Sequence, residues 1–385
     1  MSELYFDHAA SAPRRDEVSQ AMLPWMHGVV GNPSGSHRAA RLARKAVEDA
    51  RDEIASLCGA RPGNVVFTAG GTESCSLAVL GVARRHRRLH ERSAVVTSAI
   101  EHHAVGDSAL MLKAEGITPL TLGVDSEGVA DLALLSEFLQ RGDVALVSLM
   151  TANNETGVLQ PVNAASALAR EAGVLSHTDA VAAAPWIDLR SIDADLLSLC
   201  AHKIGGPVNA GALVMRGDYP LDALSPGGGQ EKGRRGGTVD VAACVGLATA
   251  LRCVDRERDV TNLRVTALRD QLVAKLITLP DCQLTAPQAQ KVPGTVHVTF
   301  AGVASDELLF LLDLAGVCAS AAASCSSGAA VSSHVLAAMG VEADRARGSL
   351  RLSFGAETTS DDVGAVVHAI ADAVQRLRPQ SSSGR

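Results

Sequence analysis

Between about residues 36 and 250, short apolar runs alternate with longer stretches whose apolar positions recur at helical spacing. Each run ends in Gly, Ser, Thr or a charged residue, the pattern of βα units wound around a mostly parallel sheet. The runs 64–68, 93–97, 144–149, 174–177, 196–199 and 212–215 are predicted strands. Ligands of such sheets gather outside the carboxyl ends of the strands, so the polar residues there are the first candidates for chemistry. From 251 to 283 a helical stretch carrying Leu263, Val265, Leu268, Leu272 and Leu276 leads into a segment of different character. Residues 294–300 alternate like a half-buried strand, 306–314 read as a helix and 349–354 as another strand. The pattern predicts an α/β fold with a large domain over 13–255 and a smaller α+β domain over 256–385, residues 1–12 packing on the latter. The Ser-rich end from 380 is expected to fray.

Composition narrows the function classes. The chain has 385 residues, 47% of them hydrophobic and 20% charged, the make-up of a globular protein rather than a disordered one. A net charge of −7 and 3% aromatics argue against nucleic-acid binding, which needs a basic face and stacking platforms. No apolar run reaches the ~20 residues of a membrane span. Eight cysteines contain no C-x-x-C pair, and no leader segment is evident, so reduced thiols in a cytoplasmic protein are expected. Neither G-x-G-x-x-G nor G-x-x-x-x-G-K-[ST] occurs. Only six residues are lysine (45, 113, 203, 232, 275 and 291), which matters when one amine must be chosen.

Several strand ends carry candidate chemistry. Ala69-Gly70-Gly71-Thr72-Glu73-Ser74 follows a strand and opens a helix, where free backbone N–H groups and the helix dipole suit one phosphate. Taken alone it is equally a tight βα turn. Lys203 follows the apolar run 196–200 through Ala201-His202 and is walled by Gly205 and Gly206. Partial desolvation there lowers an amine's pKa and fits it for Schiff-base chemistry, although a lysine snorkelling from a strand end looks the same. Asp179 ends another strand and can pair with a protonated pyridine nitrogen, or serve as a helix cap. His102 can stack on a ring or shuttle protons, and no third group at metal spacing accompanies it. The Asn154 amide can reach a ring hydroxyl, though Asn153-Asn154-Glu155-Thr156-Gly157 is also turn chemistry. Cys325 sits in a run of Ser, Ala and Gly, where a thiol is accessible, unlike Cys244 and Cys253 in apolar runs.

These residues resemble the cysteine desulfurases of the class V aminotransferase superfamily, which depend on pyridoxal 5′-phosphate (PLP). The resemblance runs nearly end to end, through Tyr5-Phe6-Asp7-His8, Gly31-Asn32-Pro33-Ser34, Thr68-Ala69-Gly70-Gly71-Thr72-Glu73-Ser74, Glu101-His102-His103, Asn153 to Gly157, Thr178-Asp179-Ala180, His202-Lys203, Arg235-Gly236-Gly237-Thr238 and Ser333-His334. It implies a PLP-dependent transferase fold of the aspartate-aminotransferase type, acting as a homodimer. It further implies that Lys203 holds PLP, Asp179 pairs with its ring nitrogen, His102 stacks on the ring and moves protons, and Asn154 contacts the ring hydroxyl. Gly71, Thr72 and His202 would bind the phosphate, Thr238 the phosphate of the partner subunit, and Arg351 the carboxylate of L-cysteine by its planar fork. Cys325 would take the sulfur as a persulfide, leaving L-alanine, for delivery to an iron–sulfur scaffold or another acceptor. No intrinsic metal is implied, Cys325 at most sharing an iron–sulfur cluster transiently with a scaffold.

The chain departs from the family pattern at several places. Ala182 stands where a Gln commonly approaches the ring hydroxyl, Cys200 where a Ser or Thr helps bind the phosphate, and Cys75 and Ser76 where Asp or Asn is usual. Ala323-Ser324 precede Cys325 in place of the common Ser-Ala, and Val331-Ser332 replace Glu-Pro. Alternative readings are a selenocysteine lyase or C–S lyase, in which Cys325 has lost its task, and a non-catalytic member acting as a scaffold.

Overall fold

The computed structural model describes residues 3–28, 31–321 and 333–378, so Cys325 lies outside the described residues. The chain opens with β1 (Leu4–Tyr5), α1 (Asp16–Met26) and α2 (Arg38–Leu57). Alternating strands and helices follow: β2 (Val65–Thr68), α3 (Gly71–His90), β3 (Ala94–Ser98), α4 (His103–Met111) and β4 (Thr118–Leu122). The alternation continues through α5 (Leu132–Gln140), β5 (Val144–Ser148), α6 (Val162–Glu171), β6 (Leu175–Asp179), β7 (Leu196–Cys200) and β8 (Gly211–Met215).

These strands form one seven-stranded sheet in the order β2-β8-β7-β6-β5-β3-β4. Every neighbouring pair is parallel except those of β8, which runs antiparallel to β2 and β7. Strands such as β5 (VALVS) and β7 (LLSLC) are buried throughout, as expected of a parallel sheet covered on both faces. All six runs predicted for this sheet are strands; β4 is an addition to them. It carries Pro119 and occupies the sheet edge beside β3, where a residue without an N–H is tolerated but the sequence signal is weak.

Helix α7 (Val241–Leu276) starts ten residues before the predicted helical stretch. Its first third, Val241 to Leu251, is small and apolar all round, so it shows no amphipathic period, and it is buried accordingly. Asp240 caps it by accepting the Ala243 N–H at 3.0 Å. The helix joins two apolar cores: Leu247, Leu251 and Val254 pack against the seven-stranded sheet, while Val265, Leu268, Leu272 and Leu276 belong to a second cluster.

That second cluster surrounds an antiparallel sheet, β12-β10-β9, formed by β9 (Cys282–Leu284), β10 (Thr295–Phe300) and, after α8 (Ser305–Leu314), β11 (Val317–Cys318), α9 (His334–Ala338) and α10 (Ala343–Ala346), the strand β12 (Ser349–Ser353). The chain's last described helix, α11 (Ser360–Leu377), opens with a capping box between Thr359 and Asp362 and packs Val363, Val366 and Ile370 into this core. The N-terminal segment ties the two regions together. β1 pairs with β11 and Asp7 bridges to Ser353, after which the Ala12 N–H donates to the His202 carbonyl at 2.8 Å.

Candidate active site

The carboxyl ends of β6 and β7, which are adjacent, carry Asp179 and, three residues past Cys200, Lys203. Lys203 Nζ donates to the carbonyls of Ala9 and Ala10, so the N-terminal segment lies over the strand ends at the amine. Lys203 lines a cavity of about 410 Å³ together with Asn153, Asn154, Val181, Ala182 and Trp186.

Asp179 is 6% exposed. Burial raises its carboxyl pKa; the Val181 N–H, donating to Oδ1 at 2.9 Å, opposes that rise, as do His102, the Cys75 thiol and Lys203. His102 caps α4, its Nδ1 accepting the Ala104 N–H at 3.1 Å. Burial lowers its pKa, with Lys203, His103 and His334 acting in the same direction and Asp179 against it. A neutral ring whose Nδ1 accepts carries its proton on Nε2, the atom left for chemistry.

The Gly-rich turn behaves as its sequence requires. Gly70, at φ +150°, takes a conformation that side chains disfavour, and α3 begins at Gly71 with no capping side chain. The first N–H groups of α3 thus have no intrahelical partner, an arrangement that suits an anion. A Cβ at Gly71 would meet Val181 Cγ2 at 2.9 Å, so only glycine leaves that cradle open. Cys200 closes one side: its Sγ lies 2.8 Å from His202 Nδ1, and a Cβ at Gly71 would lie 3.4 Å from its own Cβ. Burial raises the Cys200 pKa and lowers that of His202, so both are neutral at pH 7. Thr238 does not line the Lys203 cavity; it borders a smaller one of about 110 Å³ with Thr68, Ala69 and Arg235.

Arg351 sits in the middle of β12, opposite His297 on β10, and is 2% exposed. Its Nη2 donates to Asp7 Oδ1 at 2.8 Å and its Nη1 to the Asn154 carbonyl at 2.9 Å, while Nε has no protein partner. Asn154 thus touches both the arginine and the Lys203 cavity, whereas Asn153 spends its amide on the turn, its Oδ1 accepting from the Glu155 and Thr156 N–H groups.

Residues flanking the segment that contains Cys325 are tied to this same region. Ser320 pairs its backbone with Arg351 and donates its hydroxyl to Asp7 at 2.9 Å. Ser333 Oγ donates to Glu155 Oε2 at 2.5 Å, and His334 Nε2 donates to the Glu101 carbonyl at 2.9 Å. Burial pushes Glu155 up to about 7 and Glu101 up to about 8. Asp7, Glu101 and Glu155 belong to the motifs above, which give them no role. Apart from Ser98, three residues before Glu101, their partners lie far along the chain, so motif membership is the only signal that marks them. The seven described cysteines are all free, and Cys244 and Cys253 are buried as their apolar settings predict.

This constellation is that of an α/β enzyme in which an amine, a buried carboxylate and an uncapped helix start lie at neighbouring strand ends of one sheet. Comparison with known proteins places it. The Aminotransferase class-V family matches residues 4–366, and the chain belongs to that family. Within it the chain groups with the cysteine desulfurases. It is 42% identical over 382 residues to the IscS-like cysteine desulfurase of Mycobacterium tuberculosis, covering 97% of each chain. It is 36% identical to the cysteine desulfurase NifS of Azotobacter vinelandii, covering 98% of this chain and 94% of that one. A solved NifS-like protein superposes with a TM-score of 0.90 at 31% identity, covering 97% of this chain and all of the other.

Proposed function

We propose that the protein is a PLP-dependent cysteine desulfurase that converts L-cysteine to L-alanine and carries the sulfur on Cys325 as a persulfide. The observation that carries this reading is the proximity of Lys203, His102 and Asp179, whose charges act on one another, to Val181, which lines the Lys203 cavity and packs beside Gly71 at the uncapped start of α3. An amine for an aldehyde, a carboxylate for a ring nitrogen and a helix N-terminus for a phosphate are the complements of PLP, so the residues present fit that group. When bound, PLP supplies the electron sink that labilises bonds at the substrate Cα.

The chain's own groups do the rest. Lys203 would hold the cofactor covalently, Asp179 would pair with its ring nitrogen, His102 would stack on the ring, and Asn154 would contact the ring hydroxyl. Gly71, Thr72 and His202 would hold the phosphate, with Thr238 binding that of the partner subunit in a homodimer. Arg351 receives the substrate carboxylate. Protons at the substrate Cα pass to and from Lys203 Nζ and His102 Nε2. The Cys325 thiolate forms an S–S bond to the substrate sulfur as the substrate C–S bond breaks, and the product carbon becomes the methyl of alanine. The persulfide then passes to an acceptor such as an iron–sulfur scaffold in the cytoplasm. A large domain over 13–255 and a small one over 256–385 with residues 1–12 carry these parts, a division supported by the two apolar cores that α7 joins.

Mass spectrometry after exposure to L-cysteine tests the reading. A ~32 Da adduct is expected on Cys325 and none in Cys325→Ala, whose alanine yield also falls. Undiminished alanine and sulfide from Cys325→Ala would remove the persulfide route, and Lys203→Ala should lose the visible absorbance of bound cofactor.

A further inference from the structure

Residues 7–12 form a strap fastened to both halves of the molecule. On the small-sheet side the Ser353 N–H donates to the Phe6 carbonyl at 2.7 Å, and the Ala9 N–H donates to Ser353 Oγ at 2.8 Å. His8 lies against the same stretch, its Nδ1 3.1 Å from the Ser353 carbonyl and its Nε2 2.7 Å from Glu357 Oε1. The ring is 7% exposed, and a Cβ at Gly355 would lie 2.1 Å from its Nε2, so glycine there leaves room for it. On the large-sheet side the Ala12 N–H donates to the His202 carbonyl at 2.8 Å.

Between these fastenings the chain turns. The Asp7 carbonyl accepts the N–H groups of Ala10 and Ser11 at 3.0 and 3.2 Å, so every N–H from Ala9 to Ala12 has a partner. The carbonyls of Ala9 and Ala10 both take Lys203 Nζ, at 2.5 and 2.9 Å.

Carbonyl oxygens only accept, so Nζ supplies both hydrogens. A free amine carries at least two. A nitrogen double-bonded to an aldehyde carbon carries at most one and cannot serve both carbonyls. The pair therefore fits Lys203 as a free amine.

We propose that the carbonyls of Ala9 and Ala10 are the seat of the Lys203 amine each time substrate displaces it from the cofactor, with Ser353 and His8 as positioning residues that hold the seat. In that exchange the substrate's amino nitrogen takes the place of Nζ on the aldehyde carbon, and its two hydrogens pass to Nζ, the number that the two carbonyls accept. With two hydrogens pinned and Cε fixed, one position of the tetrahedral nitrogen is left, and it has a single direction. The amine that moves protons at the substrate Cα is thereby aimed as well as retained. The inference rests on the reading of Lys203 as the cofactor's lysine.

Competitive labelling of the apoprotein tests it. After trace acetic anhydride, mass spectrometry compares acetylation of Lys203 with that of Lys45, whose side chain is 72% exposed. Ser353→Ala should raise the ratio about fivefold, the weight of one hydrogen bond. Gly355→Ala, which drives the His8 ring aside from the other face, should raise it as well. Lys291, whose amine donates to the Thr285 carbonyl outside the strap, should label as in wild type. An unchanged Lys203 ratio in both variants overturns the proposal, whatever their melting temperatures, since a strap serving stability alone gives that result. A parallel rise at Lys291 overturns it too, as general loosening. Borohydride reduction of the holoprotein separates the two levels: cofactor fixed to another lysine removes the role of Lys203, while the labelling result on the seat stands or falls by itself.

Discussion

Arg351 and Asp7, 344 residues apart in sequence, form an ion pair in which Nη2 lies 2.8 Å from Oδ1. The guanidinium is 3% exposed and the carboxylate 20%. Strand β12 delivers the arginine, and the bridge between Asp7 and Ser353 on the same strand delivers its partner. Asp7 thus holds one arm of the fork proposed to receive the substrate carboxylate, and through Ser320 it is tied to the start of the segment leading to Cys325.

Removing Asp7 leaves a buried cation with only the Asn154 carbonyl on its terminal nitrogens. Asp7→Ala should lose about 3 kcal/mol of stability, at the low end for a broken buried pair because Asp7 is partly solvated. A ligand carboxylate can then replace the missing charge. Thermal unfolding with and without L-alanine should show a larger stabilisation by the ligand in Asp7→Ala than in wild type.

Two buried acids set the alkaline side of stability. Glu101, held by Ser98 Oγ and the Met150 N–H, and Glu155, held by Ser333, have folded pKa values of about 8 and about 7, both raised by burial. The native state therefore keeps protons that the unfolded chain releases near pH 4.5, so their contribution is full below pH 4.5 and is lost as pH rises toward 8. Glu101→Gln keeps an oxygen for Met150 and removes the titration. Urea unfolding across pH 5–8.5 should fall less steeply in that variant, and identical slopes would exclude Glu101 as a titrating group (approximate window).

Close approach of two backbones shapes the turn that opens α3, the proposed phosphate site. A Cβ at Gly211, the first residue of β8, would meet the Gly70 carbonyl carbon at 2.6 Å and the Leu199 carbonyl oxygen at 2.7 Å. Backbone cannot give way as a flexible side chain does. Gly211→Ala should therefore displace the turn that opens α3 and weaken PLP binding by about tenfold or more, read by reconstitution of the apoprotein.

Glu231 anchors the loop that carries Thr238. It accepts from both terminal nitrogens of Arg51 at 2.8 Å and from the Phe67 N–H at 2.8 Å, and Arg51 stacks 4.7 Å from the Phe67 ring centroid. Glu231→Ala leaves the Arg51 charge buried and should cost about 3–5 kcal/mol, measured by urea unfolding. The freed loop should also lower the proposed homodimer's affinity, read by analytical ultracentrifugation.

Ala182 lines the cavity beside Lys203 and offers no polar group to it. Ala182→Gln should regain a hydrogen bond of about 0.5–1.5 kcal/mol to bound cofactor, a few-fold gain in PLP affinity by the same reconstitution assay.

Most strands of the large sheet are legible because they are short, largely apolar runs with a polar end, and the strand ends point to Asp179 and Lys203. The start of α7 and the edge strand β4 are not. One is apolar on every side and so lacks a helical period, and the other carries a proline that weakens its signal.

Lys203 could be chosen from local sequence because an apolar strand, two glycines and a scarcity of other lysines suffice to mark a desolvated amine. Gly70 and Gly71 were likewise marked by their place between a strand and a helix. The pairing of Asp7 with Arg351 and the crossing of Ala9 and Ala10 over Lys203 were decided by tertiary structure alone. Periodicity reports which face of an element is buried. It carries no information about which residue, tens or hundreds of positions away, will satisfy a polar group on that face, since that depends on sheet order and register.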